Sequence, residues 1–343
     1  MEVILNTFGT SLVKDNETFL VIHKDGKQRL DPAKLKSIVL SKGAKISSDA
    51  ALLAIEHEIS VYFVDGLGKP QGRIWSNRYG SVSTIRKNQV DFAFSKKAIE
   101  WIKEILFAKI DNQIAIMLSF TPPGNVEEKL VEKNIRRLED YKTKIKAIDG
   151  ELISDISPTL RGWEGAASRI YFETINVFLS EKLRMHGRSQ HPATDLPNCL
   201  LNYAYGVLYG KIESALIKAG IDPYLGVMHR DDYNRPVLVF DIIEKFRVWP
   251  DYVVFSLLMQ DVINDDCYSI KNDGSFWLEA LGKRILIQSL NDYLEEIIKM
   301  NSTDRSRATH IELFAQALAQ KFLNFKTKNS SQSAVSSQQS AEL

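Results

Sequence analysis

The chain opens with short apolar, β-branched runs separated by polar turns. Residues 3–5, 11–13, 19–22, 37–40, 59–64 and 73–75 each have the length and composition of a strand. Asp25-Gly26 supplies residues that can take positive φ in a tight hairpin turn. Ser48-Asp49 can cap one short helix through residues 50–58. The pattern predicts an antiparallel β domain with a single small helix over residues 1–90. A linker covers residues 76 to about 95.

Beyond Gln89 the period changes to 3.6. Trp101, Ile105, Ile110, Ile114 and Leu118 recur at helical spacing, with Lys103, Lys109 and Gln113 as polar positions between them. Thr121-Pro122-Pro123-Gly124 ends that helix. A charged amphipathic helix follows over residues 126–147, expected as a solvated outer element. Ser157-Pro158 opens a helix that contains Glu164 and runs to about residue 182. Further helices are predicted over 194–219, Val237–Phe246, 252–263, 276–301 and 305–325. The fold class is therefore α+β, a small N-terminal antiparallel β domain followed by a larger all-helical domain over residues 96–325. The Ser/Gln-rich tail, 326–343, has few apolar residues and is expected to be disordered.

Composition narrows the function classes. The 343 residues are 44% hydrophobic, enough to bury sizeable cores. Lys and Arg number 44 against 43 Asp and Glu, so any polyanion must be held by a local basic patch rather than by net charge. Cys199 and Cys267 show no CxxC or zinc spacing, which excludes a disulfide scaffold and assigns both to the core. No run of about 18 apolar residues predicts a membrane span. The first residues lack the basic-then-apolar layout of a signal peptide. A cytoplasmic protein without membrane contact is expected.

The candidate chemistry lies in carboxylates and histidines. Gly162-Trp163-Glu164-Gly165 follows no strand and lacks a phosphate-loop run, and G-x-S-x-G is absent. Asp241 and Glu244 are three apart on one face of an otherwise apolar helix, so they must be solvated in a cleft, ion-paired with Arg247 or Lys245, or bound to a metal. His229 lies just upstream in a loop-like stretch. One imidazole with carboxylates suits Mn²⁺ or Mg²⁺, although a lone histidine is more often a structural residue. An HD-type phosphohydrolase needs adjacent His and Asp, and Arg230 separates His229 from Asp231. Glu164 precedes Gly165-Ala166-Ala167, small residues that admit either a ligand or a close helix crossing. Basic residues flank these positions at Arg161, Arg169, Lys182, Arg184, His186, Arg188 and His191. That placement suits a phosphodiester substrate, or simply a solvated face.

Taken in order, these pieces resemble the CRISPR-associated integrase–endonucleases of spacer acquisition, the Cas1 family. The resemblance covers residues 1–325. It rests on the β-rich start, Arg161-Gly162-Trp163-Glu164-Gly165-Ala166-Ala167, and the stretch 188–202 with Pro192, Asp195 and Asn198. Asn202-Tyr203-Ala204-Tyr205-Gly206, His229 and residues 241–247 complete it. The resemblance implies metal ligation by Glu164, His229 and Glu244, with Asp241 beside them as a catalytic carboxylate that orients the histidine, accepts a proton or shares the ion. Asp241 stays open as a direct ligand in place of Glu244. It also implies metal-dependent transesterification that inserts captured double-stranded DNA at a CRISPR repeat. The track for that DNA is assigned to Arg161, Arg169, Arg184, Arg188 and Arg230. Implied partners are a second copy, joined through the β domain, and a Cas2-family protein. The competing readings are a stand-alone nuclease for branched DNA and a catalytically silent DNA-binding scaffold.

Overall fold

A computed structural model describes residues 2–35, 37–65, 70–74, 81–190, 192–229, 235–300 and 302–326. The N-terminal part contains β1 (Glu2–Leu5), β2 (Ser11–Asp15), β3 (Thr18–His23), β4 (Gly26–Leu30), β5 (Ser37–Leu40) and β6 (Lys45–Ile46). Helix α1 (Ser48–Glu56), β7 (Ser60–Val64) and β8 (Pro70–Ile74) complete it. Every predicted strand is present, and α1 is capped by Ser47, whose hydroxyl accepts from the Ala50 N–H. The β3–β4 turn uses Gly26 at φ 153°, the positive-φ residue of the predicted pair.

Strand direction departs from the prediction. One sheet runs β1-β5-β7-β8, with β1, β5 and β7 parallel and only β8 antiparallel. The other runs β4-β3-β2-β6 and is antiparallel except at its β2–β6 edge. The β2–β4 meander and α1 act as crossovers that return the chain to one edge, and such connections make neighbours parallel. Local patterning marks a strand but carries no record of its direction. Leu12 and Phe19 of one sheet, Ile38 and Val61 of the other, and Leu53 of α1 share a single core.

The second core begins at Ile85 and extends to Phe322. It is built by α2 (Val82–Ala93), α3 (Lys96–Ser119), α4 (Asn125–Ala147), α5 (Ile153–Ile175), α6 (Leu196–Lys218), α7 (Val237–Phe246) and α8 (Val248–Met259). A hairpin of β9 (Tyr268–Ile270) and β10 (Phe276–Leu278) follows. Then come α9 (Ala280–Glu295), a second hairpin of β11 (Ile297–Met300) and β12 (Thr303–Ser306), and α10 (Arg307–Leu323). The two hairpins correct the all-helical reading. The predicted helix over 276–301 divides into β10, α9 and β11. Part of the predicted linker is α2, which packs on α3 and α10.

Two boundaries bear on the site. Helix α5 starts at Ile153, where the Asp155 carboxylate accepts the Leu152 N–H, so Pro158 lies inside it rather than opening it. The helix ends at Ile175, short of residue 182. Helices α7 and α8 meet at Arg247 because Pro250 has no N–H to continue the α7 ladder onto the Phe246 carbonyl. Among the described residues no helix is long and apolar enough to cross a membrane. The predicted tail, from 327 onward, lies outside the described residues.

Candidate active site

Three elements bring charge to one place at the edge of the helical core. Helix α3 contributes Lys109, α5 contributes Glu164, and α7 contributes Glu244. The Lys109 ammonium is ion-paired with Glu164 and lies 2.5 Å from Glu244 Oε2. Arg247, one turn beyond Glu244, holds the other oxygen, Oε1, at 2.7 Å. The ion-pair reading of Glu244 is thus realised through Arg247 and an unforeseen lysine. Lys109 is 2% exposed and Glu244 6%. Burial opposes the Lys109 charge, but Glu244 and Glu164 outweigh it and raise its pKa above the ordinary lysine value. Burial likewise opposes the Glu244 carboxylate, yet Arg247 and Lys109 hold its pKa well below the usual range.

Asp241 has a different task from Glu244. It is buried beneath the loop that follows α6. Its Oδ2 accepts the N–H groups of Val227 (2.7 Å) and Met228 (3.2 Å), and its Oδ1 accepts that of His229 (3.0 Å). The same Oδ1 lies 2.7 Å from His229 Nδ1. One carboxylate therefore fixes both the backbone and the ring of His229, leaving Nε2 as the ring nitrogen outside the Asp241 pair. Burial lowers the His229 pKa, but Asp241 first, then Glu244 and Glu164, raise it above 6.5. Gly226 permits this tight loop, because a Cβ there would lie 2.1 Å from the His229 carbonyl oxygen. From behind, the buried Gln89 side chain of α2 clasps the loop. Its amide donates to the Asp222 and Leu225 carbonyls and accepts the Asp222 N–H.

A cavity of about 550 Å³ opens beside Glu164, lined among others by Arg169, Phe172, His186, Arg188, Tyr205 and Arg247. Gly165 also lines it, and a Cβ there would meet nothing within 4 Å, so Gly165 is not at a tight helix crossing. Arg188 is held by Asn198 and Asn202, the latter at 2.9 Å, and lies over the Phe172 and Tyr205 rings. The Arg247 guanidinium stacks 4.6 Å from the Tyr205 centroid. Beneath them Asp251, 1% exposed, accepts the Tyr205 hydroxyl at 2.5 Å and the Tyr171 hydroxyl at 3.1 Å. Burial pushes the Asp251 pKa up to about 6 despite those bonds and the nearby guanidinium of Arg247.

Glu164, Glu244, His229 and Asp241 are therefore assembled as two pairs, one around Lys109 and one around the loop. Among the described residues no three His, Cys, Asp or Glu side chains close on a common metal position. The donors nevertheless fit a hard divalent ion, since two carboxylates from different helices already converge on one cation, the Lys109 ammonium. Of the arginines assigned to DNA, Arg169 and Arg188 line the cavity. Arg161 and Arg184 are exposed outside it, and Arg230 lies outside the described residues. Sequence reading missed Lys109, Gln113, Tyr205 and Asp251 as site residues. The available signal was two polar residues four apart, Lys109 and Gln113, on a stretch of α3 where Ile105, Leu106, Ile110, Ile114 and Met117 supply the apolar face.

The fold and site together define a two-part α+β protein with an acidic, histidine-bearing cluster beside an arginine-lined cavity. The family model described as "CRISPR associated protein Cas1" matches residues 3–292, and the chain belongs to that family. It is 28% identical over 331 residues to "CRISPR-associated endonuclease Cas1 1" of Archaeoglobus fulgidus, covering 92% of this chain and 94% of the relative. Among solved structures, the chain titled "Partial Cas6-RT-Cas1–Cas2 complex" superposes with TM-score 0.72 at 21% identity, covering 94% of this chain and 96% of that one. The chain titled "Casposase bound to integration product" gives 0.70 at 18% identity, covering 95% and 96%.

Proposed function

We propose that this protein is the integrase–endonuclease of CRISPR spacer acquisition. The 3′-hydroxyl of a captured DNA fragment attacks a phosphodiester at the repeat. A new P–O bond forms as the bond to the leaving 3′-oxygen breaks, and that oxygen takes up a proton. With water as nucleophile the same site hydrolyses DNA. The observation that carries this reading is the convergence of Glu164 and Glu244, eighty positions apart, on one cation beside a histidine fixed by Asp241.

Glu164, Glu244 and His229 would hold Mn²⁺ or Mg²⁺, and Asp241, paired with Nδ1, would keep the imidazole oriented and leave Nε2 as its donor. A divalent ion bound there supplies charge neutralisation at the phosphate and lowers the pKa of the attacking hydroxyl. Arg169 and Arg188 hold the flanking phosphates, and the Phe172 and Tyr205 rings keep the Arg188 guanidinium in place. Arg161, Arg184 and Arg230 extend the DNA track outside the cavity. The β domain joins two copies, and the dimer assembles on a Cas2-family protein in the cytoplasm. The likeness to a chain of a partial Cas6-RT-Cas1–Cas2 complex and to a casposase bound to integration product supports the Cas2-family and DNA partners.

The test is a branched DNA that mimics the integration product, offered with Mn²⁺, Mg²⁺ or EDTA to wild type, Glu164→Ala and His229→Ala. Metal-dependent rejoining of the branch, lost in both variants, is expected. Cutting without rejoining would favour a stand-alone nuclease. Binding unaffected by metal, with no strand chemistry even when a Cas2 partner is added, would favour the scaffold.

A further inference from the structure

Lys109 occupies the point on which two of the proposed metal ligands converge, and no step of the reaction employs it. An ammonium and a divalent ion cannot share that point. Mg²⁺ takes its oxygens at about 2.0–2.1 Å in a near-octahedral shell, and a second positive charge in contact with both carboxylates would repel it. The lysine must therefore have somewhere else to go. One turn along α3 lies Gln113, 3% exposed and lining the same cavity. Its Oε1 is buried with no hydrogen-bond partner among the described residues. Such an acceptor is rare and costly in a native interior. Residues four apart on a helix are neighbours, and the unbranched lysine stem gives its ammonium that reach.

We infer that Lys109 is a resident counter-cation. It holds Glu164 and Glu244 together in the metal-free protein and swings onto the Gln113 amide oxygen when a divalent ion takes its place. The inference rests on the metal-dependent reading above and makes Lys109 a positioning residue that sets metal affinity. Glu244 keeps Arg247 as its constant partner throughout.

The experiment is calorimetric titration of Mn²⁺ into the full chain without DNA, for wild type, Lys109→Met, Lys109→Arg, Gln113→Leu and the Lys109→Met/Gln113→Leu double variant. Lys109→Met should bind at least tenfold more tightly, since the competing charge is gone. Lys109→Arg, which keeps that charge, should not. Gln113→Leu should weaken binding severalfold in the wild-type background and have no effect beside Lys109→Met, a coupling that general damage to the fold would not produce. Unchanged or weaker binding by Lys109→Met would overturn the inference, as would an equal Gln113→Leu effect in both backgrounds. If Lys109→Met does not fold, ¹⁵N-lysine wild type decides. The Lys109 ammonium signal, assigned by its absence in Lys109→Arg, must shift when Mg²⁺ is added. Mn²⁺ binding to wild type that survives both Glu164→Ala and His229→Ala would instead remove the metal reading itself.

Discussion

Asp241→Asn tests how the histidine is held. The wild-type carboxylate accepts three backbone N–H groups and pairs with the His229 ring. Asparagine keeps one acceptor oxygen. If that oxygen stays under the His229 N–H, the new amide points its own hydrogens at the Val227 and Met228 donors. Two bonds to a charged acceptor are then replaced by facing donors in a site that is 1% exposed. Hydrogen bonds to a charged group are worth about 1.5–3 kcal/mol each, and the Met228 contact, at 3.2 Å, belongs at the weak end. A loss of about 3 kcal/mol for opening the loop follows, or roughly a hundredfold in its opening equilibrium. Amide hydrogen exchange at Val227, Met228 and His229 reads this directly. Their protection should fall by about two orders of magnitude, while α4 amides across the helical core stay unchanged. Strand transfer should be lost with it. A fall of less than about threefold would mean that the loop is held by other contacts, and the role given to Asp241 would be wrong.

Other expectations follow from the same geometry. His229 has a raised pKa, so its contribution to metal-free stability is complete below 6.5 and is lost as pH climbs through the raised value. In EDTA, wild type should therefore lose more Tm than His229→Gln as pH rises through that window. Asp251 titrates near 6 rather than 3.8, so it favours the folded state most below its unfolded pKa and that advantage, about 3 kcal/mol, disappears as pH rises toward 6. Urea unfolding of Asp251→Asn between pH 4 and 6 should show a correspondingly flatter pH dependence, and a slope equal to wild type would count against the burial argument. Arg188→Ala should weaken DNA binding uniformly across sequences and reduce the slope of log K against log salt by about one, measured by fluorescence anisotropy. A slope left at the wild-type value would remove Arg188 from the DNA track.

Helix α7 was fully legible in the sequence, since Val237–Phe246 combines strong helical periodicity with Pro236 and Pro250 on either side. The three-residue spacing of Asp241 and Glu244 was legible too, but not their division of labour. One carboxylate points under a loop and the other at a lysine more than a hundred positions upstream, and only packing specifies that. Lys109 and Gln113 were hidden because a polar residue on a helix reads as a solvent-facing position by default. What turns them inward is the covering of α3 by α4, α5, α7 and α8. The break between Glu279 and Ala280 was missed because apolar residues of β10 and β11 continue the period of α9 on either side. Parallel pairing in the first sheet depends on how the crossovers travel, which strand composition does not encode.

The Gln89 clasp also fixes where the chain can be divided. Two separate hydrophobic cores invite a cut between them, and the predicted linker suggests residue 95 as the place. Such a cut would retain every charged side chain around Lys109 yet discard α2, and with it the amide that ties Asp222 and Leu225 beneath the histidine loop. A helical half meant to stand alone, or to be grafted onto another dimerising module, must therefore keep the chain from Val82 onward. By evolutionary exchange or by engineering, the modular seam of this protein lies before α2.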